Sequence, residues 1–156
     1  MSASVAEQTM QTLEVVKSEQ IAAPIDLVFQ ALLEQMGPSN ETPDGTPMPM
    51  KLEPWPGGRW FRDLGNNTGH LWGYVQSIKA PTLLEIQGPL FMSHPVVSHV
   101  LYRLTAEGGG TRLSFSHRAV GMVPPEQLQG SRIDAGWTFI ISKIQEIAER
   151  RAKEIK

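Results

Sequence analysis

The chain of 156 residues contains no cysteine, which excludes disulfide bonds, thiolate metal sites and a cysteine nucleophile. It also lacks any run of about 18 consecutive apolar residues, the length that a membrane-spanning helix needs. Residues 1–11 are small and polar, without the basic segment and apolar segment of a secretory signal peptide. We therefore expect a cytoplasmic protein with no membrane span.

The sequence shows no excess of basic charge. Fourteen Lys and Arg residues oppose 16 Asp and Glu residues, which gives a net charge of −2 at pH 7. A nucleic-acid-binding surface needs a basic footprint, so nucleic acid is not expected as a partner. His94 and His99 lie close in sequence, but no Asp, Glu or Cys completes the three or four ligands of a zinc site. We predict no metal and no cofactor.

Motifs of nucleophilic and phosphate chemistry are also missing. There is no Gly-x-Ser-x-Gly sequence, which marks the serine nucleophile of many hydrolases. Gly108-Gly109-Gly110 lacks the Gly-Lys-Ser/Thr ending of a phosphate-binding loop and precedes a strand pattern instead of a helix. The sequence therefore assigns no catalytic residue by motif.

The most regular pattern that is present is a helical stripe near the C-terminus. Glu149 and Lys153 lie on its charged side with the i,i+4 spacing of a solvent-exposed ion pair. We predict that this helix begins at Pro124–Glu126, with a kink near Gly130; Ser131-x-x-Asp134, which has the character of a capping box, is a later alternative start. Its apolar residues recur at spacings of three and four: Ile133, Trp137, Ile140, Ile141, Ile144, Ile147 and Ala148.

Upstream of this helix, short apolar segments alternate with Gly and Pro. A first strand over about 12–21 is followed by a short helix that begins at Pro24 and ends at Gly37-Pro38. Residues 39–49 are predicted as a proline-rich loop. Short connections such as 108–110 favour antiparallel pairing. Six further strands are predicted, over residues 50–53, 59–64, 68–79, 82–87, 96–106 and 111–120.

These elements predict an α+β fold in which a curved antiparallel sheet of about seven strands wraps around the long C-terminal helix. A short helical segment follows strand one. Residues 1–11 are predicted to form a flexible tail, and residues 12–156 a single domain.

Several short motifs occur in a specific order along this chain. They are Ile21-Ala22-Ala23-Pro24, Pro56-Gly57-Gly58-Arg59-Trp60, Gly73-Tyr74-Val75, Gly110-Thr111-Arg112-Leu113, His117 and Gly136-Trp137. With this order the chain resembles the START-like, or SRPBCC, superfamily and its helix-grip fold. Within it, the chain is similar to the family named after the activator of the 90-kDa heat-shock protein ATPase. The resemblance covers roughly residues 13–150 and implies a cavity between the sheet and the long helix.

Strand alternation predicts which side chains face this cavity. Phe115 and His117 share one face of their strand, and Tyr102 has the analogous position on the neighbouring strand. Arg62 lies on the face of Trp60, where a guanidinium can bind a carboxylate with two hydrogen bonds. The predicted ligand-binding residues are Trp60, Arg62, Trp72, Phe91, Tyr102, Phe115, His117, Trp137 and Ile141.

The same residues admit plainer interpretations. Each aromatic residue can be an ordinary core residue, since buried aromatics usually only pack. Arg62 can extend to the rim and into solvent. His117 can hydrogen-bond a ligand, act in acid–base chemistry, or be a wall histidine whose hydrogen bonds are satisfied within the protein.

Three functions are compatible with the sequence. The first is non-enzymatic binding of a small, mostly hydrophobic molecule, such as a lipid, between the sheet and the C-terminal helix. The second is a cyclase- or hydratase-like enzyme with His117 as acid–base, which requires a second carboxylate or base in the same cavity. The third is an interaction module that contacts a chaperone through its surface. The sequence leaves monomer and homodimer open.

Overall fold

The structure, a computed structural model, describes residues 5–7, 9–90, 94–128 and 132–155. Within these ranges one antiparallel sheet is combined with three helices. The strands are β1 (Gln11–Ile21), β2 (Lys51–Leu52), β3 (Arg59–Gly65), β4 (Thr68–Lys79), β5 (Leu83–Gly88), β6 (Val96–Glu107) and β7 (Gly110–Gly121). The helices are α1 (Ile25–Gln35), α2 (Pro125–Leu128) and α3 (Arg132–Glu154).

The sheet has the strand order β1-β7-β6-β5-β4-β3-β2, and all neighbouring strands are antiparallel. The α+β helix-grip fold is thereby confirmed, and each predicted strand end lies within one residue of the observed one. Two tight turns fix the hairpins β3–β4 and β6–β7. Asn66 and Asn67 have φ values of 53° and 57°, and Gly108 and Gly109 have values of 58° and 81°. Two successive residues with positive φ are what a type I′ hairpin turn requires.

The described residues of the last helical region form α2 and α3. Helix α2 begins at Pro125, in agreement with the predicted early start. The kink predicted near Gly130 falls on residues 129–131, which lie outside the described residues. No helix in the described part of the chain is long and apolar enough to cross a membrane.

The core lies between α3 and the inner face of β6 and β7. Alternation turns Tyr102 and Phe115 inward, where they are fully or almost fully buried. Their rings lie 5.0 Å apart between centroids, and the Phe115 ring lies 4.6 Å from that of Trp137 on α3. Further along α3 the buried residues Ile141, Ile144, Ile147 and Ala148 continue the same packing. Burying one such Ile stabilises the fold by roughly 1.5–3 kcal/mol.

Helix α1 is held at both ends by side chains from elsewhere in the chain. Ahead of the helix, the buried Thr111 hydroxyl donates to the carbonyl oxygen of Ala23 at 2.8 Å. Beyond its last residue, the Trp60 indole N–H donates to the carbonyl oxygen of Met36 at 2.7 Å. Carbonyls at a helix C-terminus lack helical partners, so the Trp60 bond satisfies a group that would otherwise be buried and unpaired.

Glu149 has a structural contact that the sequence pattern did not indicate. Its Oε2 atom accepts hydrogen bonds from the backbone N–H of Ala22 at 2.9 Å and from the Gln145 amide at 3.0 Å. The predicted charge interaction with Lys153 is present and contributes to lowering the pKa of Glu149, after the larger effects of the hydrogen bonds from Ala22 and Gln145. In addition to that predicted pair, this carboxylate joins α3 to the turn between β1 and α1.

The bond between Trp60 and Met36 leads to a test of stability. Replacing Trp60 with Phe leaves the Met36 carbonyl without its donor, so we expect the free energy of unfolding to fall by about 1–3 kcal/mol. Trp55 is 54% exposed whereas Trp60 is 4% exposed, so Trp55→Phe is the matched control. It should change the free energy of unfolding by less than about 0.5 kcal/mol. Urea unfolding measures both variants. Equal stabilities of the two would contradict the role given to this bond.

Candidate ligand-binding cavity

A cavity of about 270 Å³ lies between the β3–β4 side of the sheet, the loop after α1, α2 and the first half of α3. This volume equals that of about nine molecules of liquid water. The polar residues of its lining are Asn40, Glu41, Thr42, His117 and Gln127. The apolar residues, which predominate, are Met36, Pro43, Met48, Trp60, Trp72, Leu90, Ile133, Gly136, Trp137, Phe139 and Ile140.

Four of the predicted site residues meet in this cavity: Trp60, Trp72, His117 and Trp137. A register shift between β3 and β4 brings the first two together, because Trp60 pairs with Gly73 while Phe61 pairs with Leu71. Trp72 is left without a cross-strand partner in this register. Its ring contacts that of Trp60 edge-on, with 5.3 Å between the ring centroids.

The other predicted residues lie elsewhere. Tyr102, Phe115 and Ile141 are buried in the packed core and are not part of the cavity lining. Arg62 pairs with His70 near the end of the β3–β4 hairpin and lines a separate, open surface groove of about 680 Å³. Phe91 lies outside the described residues. The ligand-binding role of all these residues stays a prediction.

Much of the lining was missed in the sequence. Residues 40–43 and Met48 belong to the loop after α1, which has no periodicity from which an inward face can be inferred. Ile133 and Ile140 were recognised as part of the α3 stripe, and their incomplete burial reflects the open space beside them. Gly136 was noted in the sequence as part of the Gly136-Trp137 motif and not as a residue of the cavity wall.

His117 is completely buried, and both of its ring nitrogens make hydrogen bonds. The Trp137 indole donates to Nδ1 at 2.9 Å, and Nε2 lies 3.0 Å from the hydroxyl of the buried Ser98. Because an indole N–H can only donate, Nδ1 is the acceptor and the proton resides on Nε2, which donates to Ser98. His117 is thus a wall histidine that is satisfied by the protein itself.

Burial also keeps His117 neutral. Loss of hydration disfavours the charged imidazolium and lowers the pKa of His117 from 6.5 to about 4, with a smaller contribution from His99. An imidazolium would also have no lone pair on Nδ1 to accept the Trp137 bond. At neutral pH the group is uncharged and both nitrogens are in use, which is unfavourable for acid–base catalysis.

Trp72 differs from the other two tryptophans of the cavity. The indole N–H groups of Trp60 and Trp137 both have acceptors. The Nε1 atom of Trp72 is buried and has no hydrogen-bond acceptor among the described residues. A buried donor that stays unpaired costs about 1–3 kcal/mol, and the described residues offer this indole N–H no acceptor.

One side of the cavity is covered by residues 40–48, which we call the flap. The flap is an ordered turn, since Thr42 N–H donates to the Thr46 carbonyl and Met48 N–H to the Asn40 carbonyl, both at 2.9 Å. At its tip the Asp44 carboxylate accepts from the hydroxyl of Thr42 and from the backbone N–H of Thr46. These bonds lower the pKa of Asp44 to about 2.

An ion pair joins the flap to α3. The Lys143 ammonium lies 3.1 Å from the Glu41 carboxylate and 5.7 Å from the centre of the Phe139 ring. Lys143 also lies 3.5 Å from Glu146 on its own helix, and the bond to Glu41 is the main reason that the pKa of Lys143 is raised. The flap is therefore attached to the cavity wall by a contact that is partly exposed to water.

Groups that could hold a metal are absent from the described residues, where no three His, Cys, Asp or Glu side chains converge. His99 points to the outer face of the sheet and lies 2.7 Å from Glu85. That contact lowers the pKa of Glu85.

The buried His117 predicts a specific dependence of stability on pH. Its pKa is lower in the folded protein than in the unfolded chain, so the unfolded chain binds an extra proton between these values. Neutral, buried His117 therefore makes its full contribution to the free energy of unfolding above pH 6.5. This contribution, up to roughly 3 kcal/mol, is lost as the pH falls toward 4. Urea unfolding across this range measures it. His117→Gln should flatten the dependence and His70→Gln, at an exposed site, should not; equal slopes in both would contradict the assignment.

The Glu41–Lys143 pair predicts local opening of the flap. Lys143→Gln should raise the amide hydrogen exchange of Thr42 and Met48 by at most about fivefold, because a partly exposed ion pair is worth at most about 1 kcal/mol. Lys153→Gln, on the same helix but exposed, is the control and should leave both amides unchanged. Unaltered exchange in Lys143→Gln would mean that the pair does not hold the flap.

The chain is similar in structure to several bacterial proteins. An uncharacterised protein from Rhizobium leguminosarum has 19% identity and a TM-score of 0.71, covering 93% of this chain and 99% of that chain. A protein from Mesorhizobium loti has 20% identity and a TM-score of 0.65, covering 88% and 98%. CalU16 from Micromonospora echinospora has 20% identity and a TM-score of 0.56, covering 95% and 94%. At these identities the likeness shows the fold alone.

Sequence comparison gives the family. No curated protein sequence is significantly similar to this chain. The family model described as "Activator of Hsp90 ATPase homolog 1-like protein" matches residues 22–149, which include every strand from β2 to β7 and most of α3. The chain therefore belongs to the family of Activator of Hsp90 ATPase homolog 1-like proteins.

Proposed function

We propose that this protein binds a small, mostly hydrophobic molecule in the cavity between the sheet, the flap and α3, without changing it chemically. The observation that carries the proposal is the lining itself. Trp60, Trp72 and Trp137 surround an unfilled apolar space that adjoins a closely packed core. The cavity is partly open, so its apolar wall faces water in the free protein. A ligand that covers this wall would remove apolar surface from water, which is favourable.

The size of the cavity is sufficient for useful affinity. Micromolar binding corresponds to about 8 kcal/mol. A molecule of about ten non-hydrogen atoms would have to supply less than about 1 kcal/mol per atom, which lies within the range of small ligands.

The enzymatic alternative has less support. His117 uses both ring nitrogens within the protein, and Glu41, which has the one carboxylate among the described cavity residues, is paired with Lys143. Acid–base chemistry needs a group that can exchange a proton with a bound substrate. The chaperone-associated module stays a hypothesis, suggested by the family and by exposed apolar side chains such as the cross-strand pair Val97 and Val120. The cytoplasmic location and the oligomeric state also stay open predictions.

Calorimetric titration with 2-acetonaphthone, a neutral aromatic ketone, tests the proposal. The wild-type protein should bind it saturably, with a dissociation constant in the micromolar range. Ile140→Trp fills the cavity and should weaken binding by about tenfold or more. Thr138→Trp adds the same side chain at an exposed position of α3 and should bind like wild type.

Native mass spectrometry of the purified protein provides a second readout. A co-purifying small molecule that is lost in Ile140→Trp would support the proposal. Absence of both a co-purifying molecule and saturable binding of neutral aromatic or aliphatic probes would refute it. Turnover of a bound probe, if abolished by His117→Gln, would favour the enzyme instead.

A further inference from the structure

Gly136 is an unexpected residue for its position. It is the fifth residue of α3, inside a helix that continues for another 18 residues to Glu154. Glycine is among the least favourable residues in a helix interior, because it loses the most conformational freedom on folding. A glycine at such a position needs a reason in packing or in function.

Packing does not supply that reason. At Gly73 an added Cβ atom would lie 2.8 Å from the side chain of Ile86, and at Gly88 it would lie 2.3 Å from the Cα of Gly73. Those two glycines are required by close approach of neighbouring strands. At Gly136 an added Cβ would meet nothing within 4 Å among the described residues. The fold would thus accept alanine at this position.

The open space beside Gly136 is the cavity. Gly136 is part of its lining together with Ile133 and Ile140, which lie three residues before it and four after it on the same face of α3. Any side chain at position 136 would extend into the volume that the proposed ligand occupies. The absence of a side chain therefore enlarges the site at a cost to the helix.

The charges around the cavity restrict the ligand further. The described lining contains no Lys or Arg, and its carboxylate, from Glu41, already has Lys143 as its partner. Arg62, which the sequence suggested as a carboxylate clamp, lines the separate surface groove instead. An anion transferred into this cavity would lose its hydration without gaining a countercharge.

We propose that Gly136 determines which ligands the cavity admits, by leaving the backbone of α3 open to contact with an uncharged molecule that has an apolar body. This inference rests on the proposed function and adds to it the size limit and the charge of the ligand.

The test is calorimetric titration of wild type, G136A and G136L with acetophenone, 2-acetonaphthone and 2-naphthoate at neutral pH. One methylene group in an apolar pocket is worth about tenfold or more in affinity. G136L should therefore weaken the binding of 2-acetonaphthone by at least about tenfold, and G136A should weaken it by a smaller factor. In both variants the affinity for acetophenone, which is smaller, should fall less than the affinity for 2-acetonaphthone. In wild type, 2-naphthoate, with the same ring system and a carboxylate, should bind at least about tenfold more weakly than the ketone.

Thermal unfolding separates the effect on the helix from the effect on the site. G136A should raise Tm by about 2–4 °C, because alanine favours the helix. The matched control A135G changes the neighbouring exposed residue of α3, and it should lower Tm by a similar amount without altering affinity. If G136L is unstable, G136A tests the proposal alone. It should then show a higher Tm than wild type and a lower affinity for 2-acetonaphthone.

The outcomes distinguish this inference from the proposed function. Wild-type binding of the ketone with unchanged affinity in folded G136A and G136L would overturn the role of Gly136 and leave the proposed function standing. Equal or tighter binding of 2-naphthoate would overturn the requirement for an uncharged ligand. Failure of wild type to bind any of the probes would count against the proposed function and this inference together.

Discussion

The hydrogen bond from the Trp137 indole to Nδ1 of His117 joins α3 to the sheet at the cavity wall. It is a buried contact between the helix and β7, and Ser98 on β6 continues it through Nε2. The bond requires a neutral imidazole with its proton on Nε2, so the packing of the helix and the protonation state of His117 are inseparable. A residue that resembles a catalytic base in the sequence is therefore a structural link between two layers of the fold.

Helix α3 has two kinds of packing along its length. Ile141 and Ile144 are buried in the hydrophobic core and do not line the cavity. Closer to the N-terminus, Ile133, Gly136 and Ile140 border the open space of the cavity. One amphipathic stripe thus serves as core along most of its length and as cavity wall at its start. The flap closes the region where the sheet and the helix do not touch.

The fold could be predicted from the periodicity of the sequence. Alternation in β6 and β7 indicates strands, and the Gly, Pro and Asn residues between apolar segments indicate where each strand ends. This periodicity was sufficient for only part of the site. Alternation correctly turns Tyr102 and Phe115 inward, but it does not distinguish a filled interior from a hollow one. The flap has no periodic pattern, and the register shift opposite Trp72 is a local property of strand pairing that the sequence does not display. Arg62 was placed by the face of its strand, whereas its position near the end of the hairpin decides what it contacts.

Trp60 has two roles that are joined in one side chain. Its ring belongs to the cavity wall, while its N–H holds the carbonyl that follows α1. The side chain that a bound molecule would contact is therefore the same side chain that satisfies the carbonyl at the end of α1, so we expect the proposed binding and the stability of the last turn of α1 to be coupled. Cavity and scaffold in this protein share a residue.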